Sequence, residues 1–161
     1  MNLYSDLHRN VLSALIKFKV KFILIGGFAS IYYGVNRNTG DLDIFFEPSQ
    51  ENGLRLIEAL KSVKLELPDF QPHEFEKNLV LAFGFPPDAV DLLNHTPGID
   101  FNNAYKNALE INLDGLSIRI IEINDLIRNK ENLKRTDEKA FLDKYDIEAL
   151  KKILDKRQGN T

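Results

Sequence analysis

Asp41 and Asp43 stand one residue apart in Asp41-Leu42-Asp43-Ile44-Phe45-Phe46. On a strand, residues i and i+2 share a face at about 6–7 Å separation. The two carboxylates therefore point one way while Leu42 and Ile44 point into a core. Paired acids backed by apolar neighbours suit a hard divalent cation such as magnesium. Asp91 is the natural third ligand, because it is a lone acid inside Ala89-Val90-Asp91-Leu92-Leu93, where an unpaired charge is costly. Asp88 competes for that role but follows Pro86-Pro87 and reads as the start of the strand. Three carboxylates around one or two magnesium ions fit the arrangement in which the ions clamp an attacking and a leaving oxygen. Plainer alternatives stand beside this one: Asp41 and Asp43 as acids facing water from a strand edge, and Asp91 as the partner of a lysine or arginine.

Upstream, Phe22-Ile23-Leu24-Ile25 runs into Gly26-Gly27. Glycines there let the backbone approach a ligand closely, and a following helix offers free N–H groups to phosphate oxygens. The pair also fits a simple tight turn. It is neither a G-x-G-x-x-G fingerprint nor a Walker A loop, which disfavours both of those mononucleotide folds. Ser30 could add a hydroxyl to phosphate or back-bond within its helix. Arg37 could fork onto phosphate or lie in solvent, and Thr39 could order the loop leading to the acids or close a local turn. Lys130, one helical turn beyond Leu126-Ile127, could reach a triphosphate or be solvated on a charged helix. Tyr33 is a weak candidate for stacking on a base. Phe28, Tyr32, Phe45 and Phe46 read as core, and His8, His73 and His95 as surface or loop residues without metal-ligand spacing.

These residues need elements to hold them. Leu3, Leu7, Val11, Leu12, Leu15 and Ile16 recur at helical spacing, which predicts a helix over residues 3–18 with His8 and Arg9 in solvent. A strand over 22–25 and a helix from 28 ended by Gly34 follow, then a polar loop over 36–40 and a strand over 41–46. A helix over 50–63 turns Leu54, Ile57, Ala59 and Leu60 inward, and residues 68–73 form a loop. Strands over 78–85 and 88–93 make a hairpin around Pro86-Pro87. A short helix covers 100–109. Strands over 109–113 and 116–122 flank Asp114-Gly115, the strongest hairpin signal in the chain. Charged helices occupy 122–133 and 137–156. This order argues for an α/β domain around a mixed sheet.

The chain has 161 residues, a formal net charge of −3 and no cysteine. One domain is expected, residues 1–161, with the helices of 122–157 packed on it. The absence of cysteine excludes disulfides and thiolate metal sites. The charge gives no basic field for tight nonspecific nucleic-acid binding. The polar N-terminus lacks the apolar core of a signal peptide. The apolar stretch over 22–33 is too short and too glycine-broken to span a membrane. A soluble cytoplasmic protein is expected.

Taken together, Ile25-Gly26-Gly27, then Arg37-x-Thr39-x-Asp41-Leu42-Asp43-Ile44, then Val90-Asp91-Leu92 resemble the nucleotidyltransferase superfamily of DNA polymerase β type. The similarity is to its small bacterial members, the toxins of abortive-infection and toxin–antitoxin systems. Residues 126–130 and 146–150 are similar to the later Leu-Ile-x-x-Lys and Asp-Ile-x-x-Leu segments of those toxins. Their Arg-x-Lys-Asp run is not matched, since Arg135-Thr136-Asp137 is followed by a longer spacer. The resemblance implies a minimal nucleotidyltransferase fold. It implies transfer of a nucleoside monophosphate from a nucleoside triphosphate, ATP included, to an acceptor hydroxyl on tRNA, protein or a small molecule. Asp41 and Asp43 would hold two magnesium ions, Asp91 would hold the catalytic one and help deprotonate the acceptor, and Gly26, Gly27 and Lys130 would bind the leaving phosphates. An antitoxin protein is an implied partner. Two rivals remain: a non-catalytic relative that only binds a nucleotide or partner, and a phosphodiesterase or nuclease using the same acids.

Overall fold

The computed structural model describes residues 5–159. Helix α1 (Asp6–Lys17) leads to strand β1 (Phe22–Ile25), helix α2 (Gly26–Tyr33), strand β2 (Asp41–Phe46) and helix α3 (Gln50–Ser62). After a 3-10 turn at Pro72–Glu76 come β3 (Val80–Phe83), β4 (Ala89–Leu93), α4 (Phe101–Asn107), β5 (Leu109–Leu113), β6 (Leu116–Ile120), α5 (Ile123–Asn132) and α6 (Lys139–Arg157). The strands form one mixed sheet of order β3-β4-β2-β1-β6-β5. Pairs β2–β4 and β1–β6 are parallel and the other three antiparallel. The fold is α/β, as expected.

Alternation explains the central strand. Leu42, Ile44 and Phe46 are fully buried on one face of β2, while Asp41, Asp43 and Phe45 share the other. Slipping the register by one residue would exchange the two sets, so burial pins the pairing. In that register Asp43 lies opposite Ile25 on one side and Asp91 on the other. The sheet alone thus brings the glycine pair and the third acid to Asp43.

Buried asparagines hold the ends of the strands. Asn52 accepts from the Lys21 amide at 2.7 Å and donates to the Lys21 and Glu47 carbonyls, joining the entry to β1 and the exit of β2. Asn94 accepts from the Leu79 amide and donates to the Phe75 and Lys77 carbonyls beyond β4. Each satisfies backbone groups that strand pairing leaves open. The two hairpins form where expected, with Asp114 and Gly115 both at positive φ in the second.

Several local expectations change. Ser5 caps α1, and residues 3 and 4 of the expected first helix lie outside the described residues. His8 is buried rather than solvated, 1% exposed: its Nδ1 accepts from the Ser5 amide and its Nε2 donates to the Ala89 carbonyl at 2.9 Å. A capping box with histidine in place of an acid makes this possible, and the ring sits edge-on against Phe28. Arg9 pairs with Asp114 at 2.8 Å. Tyr32 and Tyr33 exchange their expected roles. Tyr33 is buried and donates to the Ile121 carbonyl, while Tyr32 is exposed. On α3 the inward stripe runs through Gly53, Leu56, Ala59 and Leu60, which leaves Leu54 in solvent. The expected loop over 68–73 instead leads into the 3-10 turn, whose Phe75 is fully buried on α3.

That seat depends on Gly53, where an added Cβ would fall inside the Phe75 ring. Helix propensity favours alanine over glycine by about 1 kcal/mol, but overpacking a core costs about 1–3 kcal/mol. Gly53→Ala is therefore expected to destabilise the protein, read as a lower urea midpoint. A raised midpoint would show that the 3-10 turn yields freely.

Candidate active site

Asp41, Asp43 and Asp91 converge above the sheet. Each offers a carboxylate oxygen, and the three atoms lie within 4.8 Å of one another. Asp41 and Asp43 meet because they alternate on β2, and Asp91 joins because β4 runs parallel in register. Thr39 donates to Asp41 Oδ1 at 3.2 Å, which orders the end of the loop before the strand.

Burial pushes the Asp43 carboxyl up to about 7, with the charges of Asp41 and Asp91 adding to the rise. Burial also raises Asp91, again with Asp41 beside it. Like charges gathered in a half-buried site oppose ionisation. Among the described residues this is the acid cluster that could hold a metal ion. Its donors are oxygens only, without sulfur or imidazole, the chemistry of a hard cation such as magnesium, calcium or manganese. A cation there would offset the burial that raises Asp43 and the repulsion that adds to it. The residues fit the ion.

The glycine pair sits inside α2 rather than ahead of it. Gly26 has φ +70°, and a Cβ on it would fall on the Asp43 carboxylate. A Cβ on Gly27 would lie 2.7 Å from Thr39 Oγ1 and 2.9 Å from Arg37 Nη2. The two glycines therefore let the acid strand and the 36–40 loop close onto the helix.

A second charged network faces the first. Asp146 of α6 is fully buried and accepts from Arg37 Nε at 2.7 Å, Arg37 Nη2 at 2.8 Å and Ser30 Oγ at 3.1 Å, with Lys130 Nζ at 2.9 Å. Burial alone would raise the Asp146 carboxyl, but the hydrogen bonds from Arg37 and the charge of Lys130 hold it below its ordinary range. Asp143 stands between Lys130 Nζ at 3.6 Å and Arg135 Nε at 3.5 Å. Lys139 Nζ crosses to Asp41 Oδ2 at 3.3 Å.

A cavity of about 600 Å³ collects these groups. Gly26, Gly27, Arg37, Thr39, Asp41, Asp43, Asp91 and Lys130 all line it. Ser30 does not: it is buried under Asp146, neither in the cavity nor back-bonded. Arg37 reaches the cavity but spends its fork on Asp146. Lys130 is buried rather than solvated, because two acids of α6 compensate its charge. Arg135 and Asp137 also line the cavity. Lys139 and Asp143 were missed in the sequence. Residues 139, 143, 146 and 150 recur at helical spacing, so one stripe of α6 carries Lys139, both acids and the buried Leu150.

No protein-family model and no curated protein matches the chain. Solved structures do match in fold. A crystal structure of an antigenic nucleotidyltransferase-like protein from Paracoccidioides brasiliensis has a TM-score of 0.58 at 18% identity, covering 92% of this chain and 75% of that one. The lincosamide antibiotic adenylyltransferase LnuA, lincomycin-bound, has a TM-score of 0.56 at 16% identity over 95% of this chain and 99% of its own. ANT(2")-Ia in complex with adenylyl-2"-tobramycin has a TM-score of 0.51 at 15% identity, covering 91% and 92%. The chain has the fold shared by these nucleotidyltransferases.

The two networks predict opposite responses to the same substitution. Asp43 has a folded-state pKa above its unfolded value of 3.8, so its contribution favours folding below about pH 4 and is lost as pH rises towards 7. Asp43→Asn should raise Tm at pH 8 in EDTA, by roughly 2–4 °C for each kcal/mol relieved, with little effect at pH 4. Asp146→Asn strands Arg37 and Lys130 and should cost about 3–5 kcal/mol. Thermal melts of both variants check this; a fall in Tm for Asp43→Asn at pH 8 would mean that Asp43 is held by ion pairs instead.

Proposed function

We propose that the protein is a nucleotidyltransferase that moves a nucleoside monophosphate from a nucleoside triphosphate to an acceptor hydroxyl. The observation that carries this reading is the convergence of Asp41, Asp43 and Asp91 beside Gly26-Gly27 in one cavity. The fold shared with adenylyltransferases supports it. Asp41, Asp43 and Asp91 would hold magnesium in a two-ion site. Bound there, the metal supplies Lewis acidity and lowers the pKa of a coordinated hydroxyl.

The remaining work falls to the chain. Gly26 and Gly27 would turn the backbone N–H groups at the start of α2 towards phosphate oxygens in the cavity, and Lys130 supplies positive charge beside them. Arg37 acts mainly through Asp146, which fixes Lys130 in place; Ser30 supports Asp146 from below. Asp91 accepts the acceptor's proton as its oxygen attacks the α-phosphorus. The new O–P bond forms as the bond to the β-phosphate oxygen breaks, and pyrophosphate leaves with that electron pair. ATP is the favoured donor and a small hydroxyl-bearing molecule the favoured acceptor, ahead of tRNA or protein. Support for both comes from neighbours whose complexes contain lincomycin and adenylyl-2"-tobramycin.

Incubation with each labelled nucleoside triphosphate, magnesium and a panel of hydroxyl-bearing acceptors tests the reading. Pyrophosphate release coupled to a labelled acceptor is expected. Asp43→Asn and Asp91→Asn should each lower kcat/KM by about 10³-fold or more, the scale on which one electrostatic stabiliser of a transition state acts. Magnesium-dependent nucleotide binding without pyrophosphate release would assign the cleft to binding alone. Cleavage of nucleic acid without added nucleotide would assign it to phosphodiester hydrolysis.

A further inference from the structure

We propose that Lys139 is the exchangeable cation of the cavity. It neutralises Asp41 while the acid cluster holds no metal, and it transfers to the donor's phosphates when a divalent cation and nucleotide enter. This rests on the nucleotidyltransferase reading and assigns a residue to it that neither the acids nor the glycines suggest.

The cations lining the cavity differ in how firmly they are held. Lys130 has a side chain only 4% exposed and is fixed between Asp146 and Asp143. Arg37 is nearly as buried, its Nε and Nη2 donating to Asp146 and its Nη1 to the Asn38 carbonyl. Arg135 leans on Asp143 at the edge of the cavity. Lys139 alone among these four is paired with a member of the acid cluster, and its side chain is 51% exposed. A half-exposed lysine pair is weak, and its long stem moves easily. Lys139 Nζ lies 3.3 Å from Asp41 Oδ2, so a divalent cation bound by Asp41 would repel its ammonium. A triphosphate in the same cavity would then offer that ammonium a multiply charged partner.

The geometry of α6 allows the exchange. Lys139 begins the helix, so its side chain moves without shifting the acids one and two turns further on. Asp143 and Asp146 keep Lys130 and Arg37 in place during the exchange. One side chain then has two partners of opposite demand: an acid that must be freed for the metal and a phosphate that must be held.

Opposite effects of one substitution are the signature. The full chain, free of metal, would be titrated with Mn²⁺ alone, following the electron paramagnetic resonance signal of free Mn²⁺. Pyrophosphate binding in the presence of magnesium would be followed by calorimetry. Lys139→Gln should tighten Mn²⁺ binding by about 2- to 5-fold, the worth of a partly exposed ion pair, and weaken pyrophosphate binding by about tenfold. Lys139→Arg, which keeps the charge, should restore both towards wild type. Unchanged or weaker Mn²⁺ binding in Lys139→Gln would overturn the counter-cation role. Tighter Mn²⁺ binding with unchanged pyrophosphate binding would overturn the transfer. Asp43→Asn separates this failure from that of the transferase reading: if wild type and Asp43→Asn both fail to bind Mn²⁺, the metal site itself is wrong and both readings fall.

Discussion

Three carboxylates held within 4.8 Å of one another repel, and the sheet exists in a form that will not let them part. Their positions follow from strand register, which the fully buried Leu42, Ile44 and Phe46 enforce from the opposite face. Moving any acid away would mean breaking ladder hydrogen bonds and exposing apolar surface. The strain shows up in protonation: burial first, and then the charges of Asp41 and Asp91, raise Asp43 to about 7. The fold gives up stability at one spot to keep a charge pattern in place, as functional sites commonly do.

Helix α6 answers that pattern twice. Lys139 offers the acids a counter-charge, and Asp146 offers Arg37 and Lys130 theirs. Both answers come from one stripe of one helix, so seating α6 sets the electrostatics of the whole cavity. They differ in permanence. The Asp146 network is buried and satisfied by four donors from Ser30, Arg37 and Lys130, whereas the Lys139 pair is open to solvent. A firm frame and a loose cation within one cavity suit a site that must fill and empty.

Much of this was legible in the sequence because it rests on period-two alternation. Asp41, Asp43 and Asp91 each stand among apolar residues whose burial fixes their direction, and Asp114-Gly115 encodes its own turn. The side chains that misled are those whose partners lie far along the chain. His8 reads as a surface residue until the Ala89 carbonyl, 81 positions away, appears opposite its ring. Ser30 could serve phosphate or its own helix, and Arg37 phosphate or solvent, until Asp146, more than 100 positions away, takes their hydrogen bonds. Tyr32 and Tyr33 differ by one step around a short helix, and the one inside gives its hydroxyl to the Ile121 carbonyl, 88 positions away. Lys139 and Asp143 follow helical spacing but lie among so many charges that periodicity alone did not separate them from a solvated face.

On the function proposed above, the acid cluster holds a cation and is under electrostatic stress without one. Carboxyl carbon NMR of Asp43, titrated between pH 3 and 9 with and without magnesium, tests it most directly. In the absence of metal a midpoint near 7 is expected, and with saturating magnesium a midpoint displaced well below it. A midpoint near the ordinary 3.8 in the metal-free protein, unmoved by magnesium, would leave the three acids as a solvated or ion-paired strand end with no cation to hold.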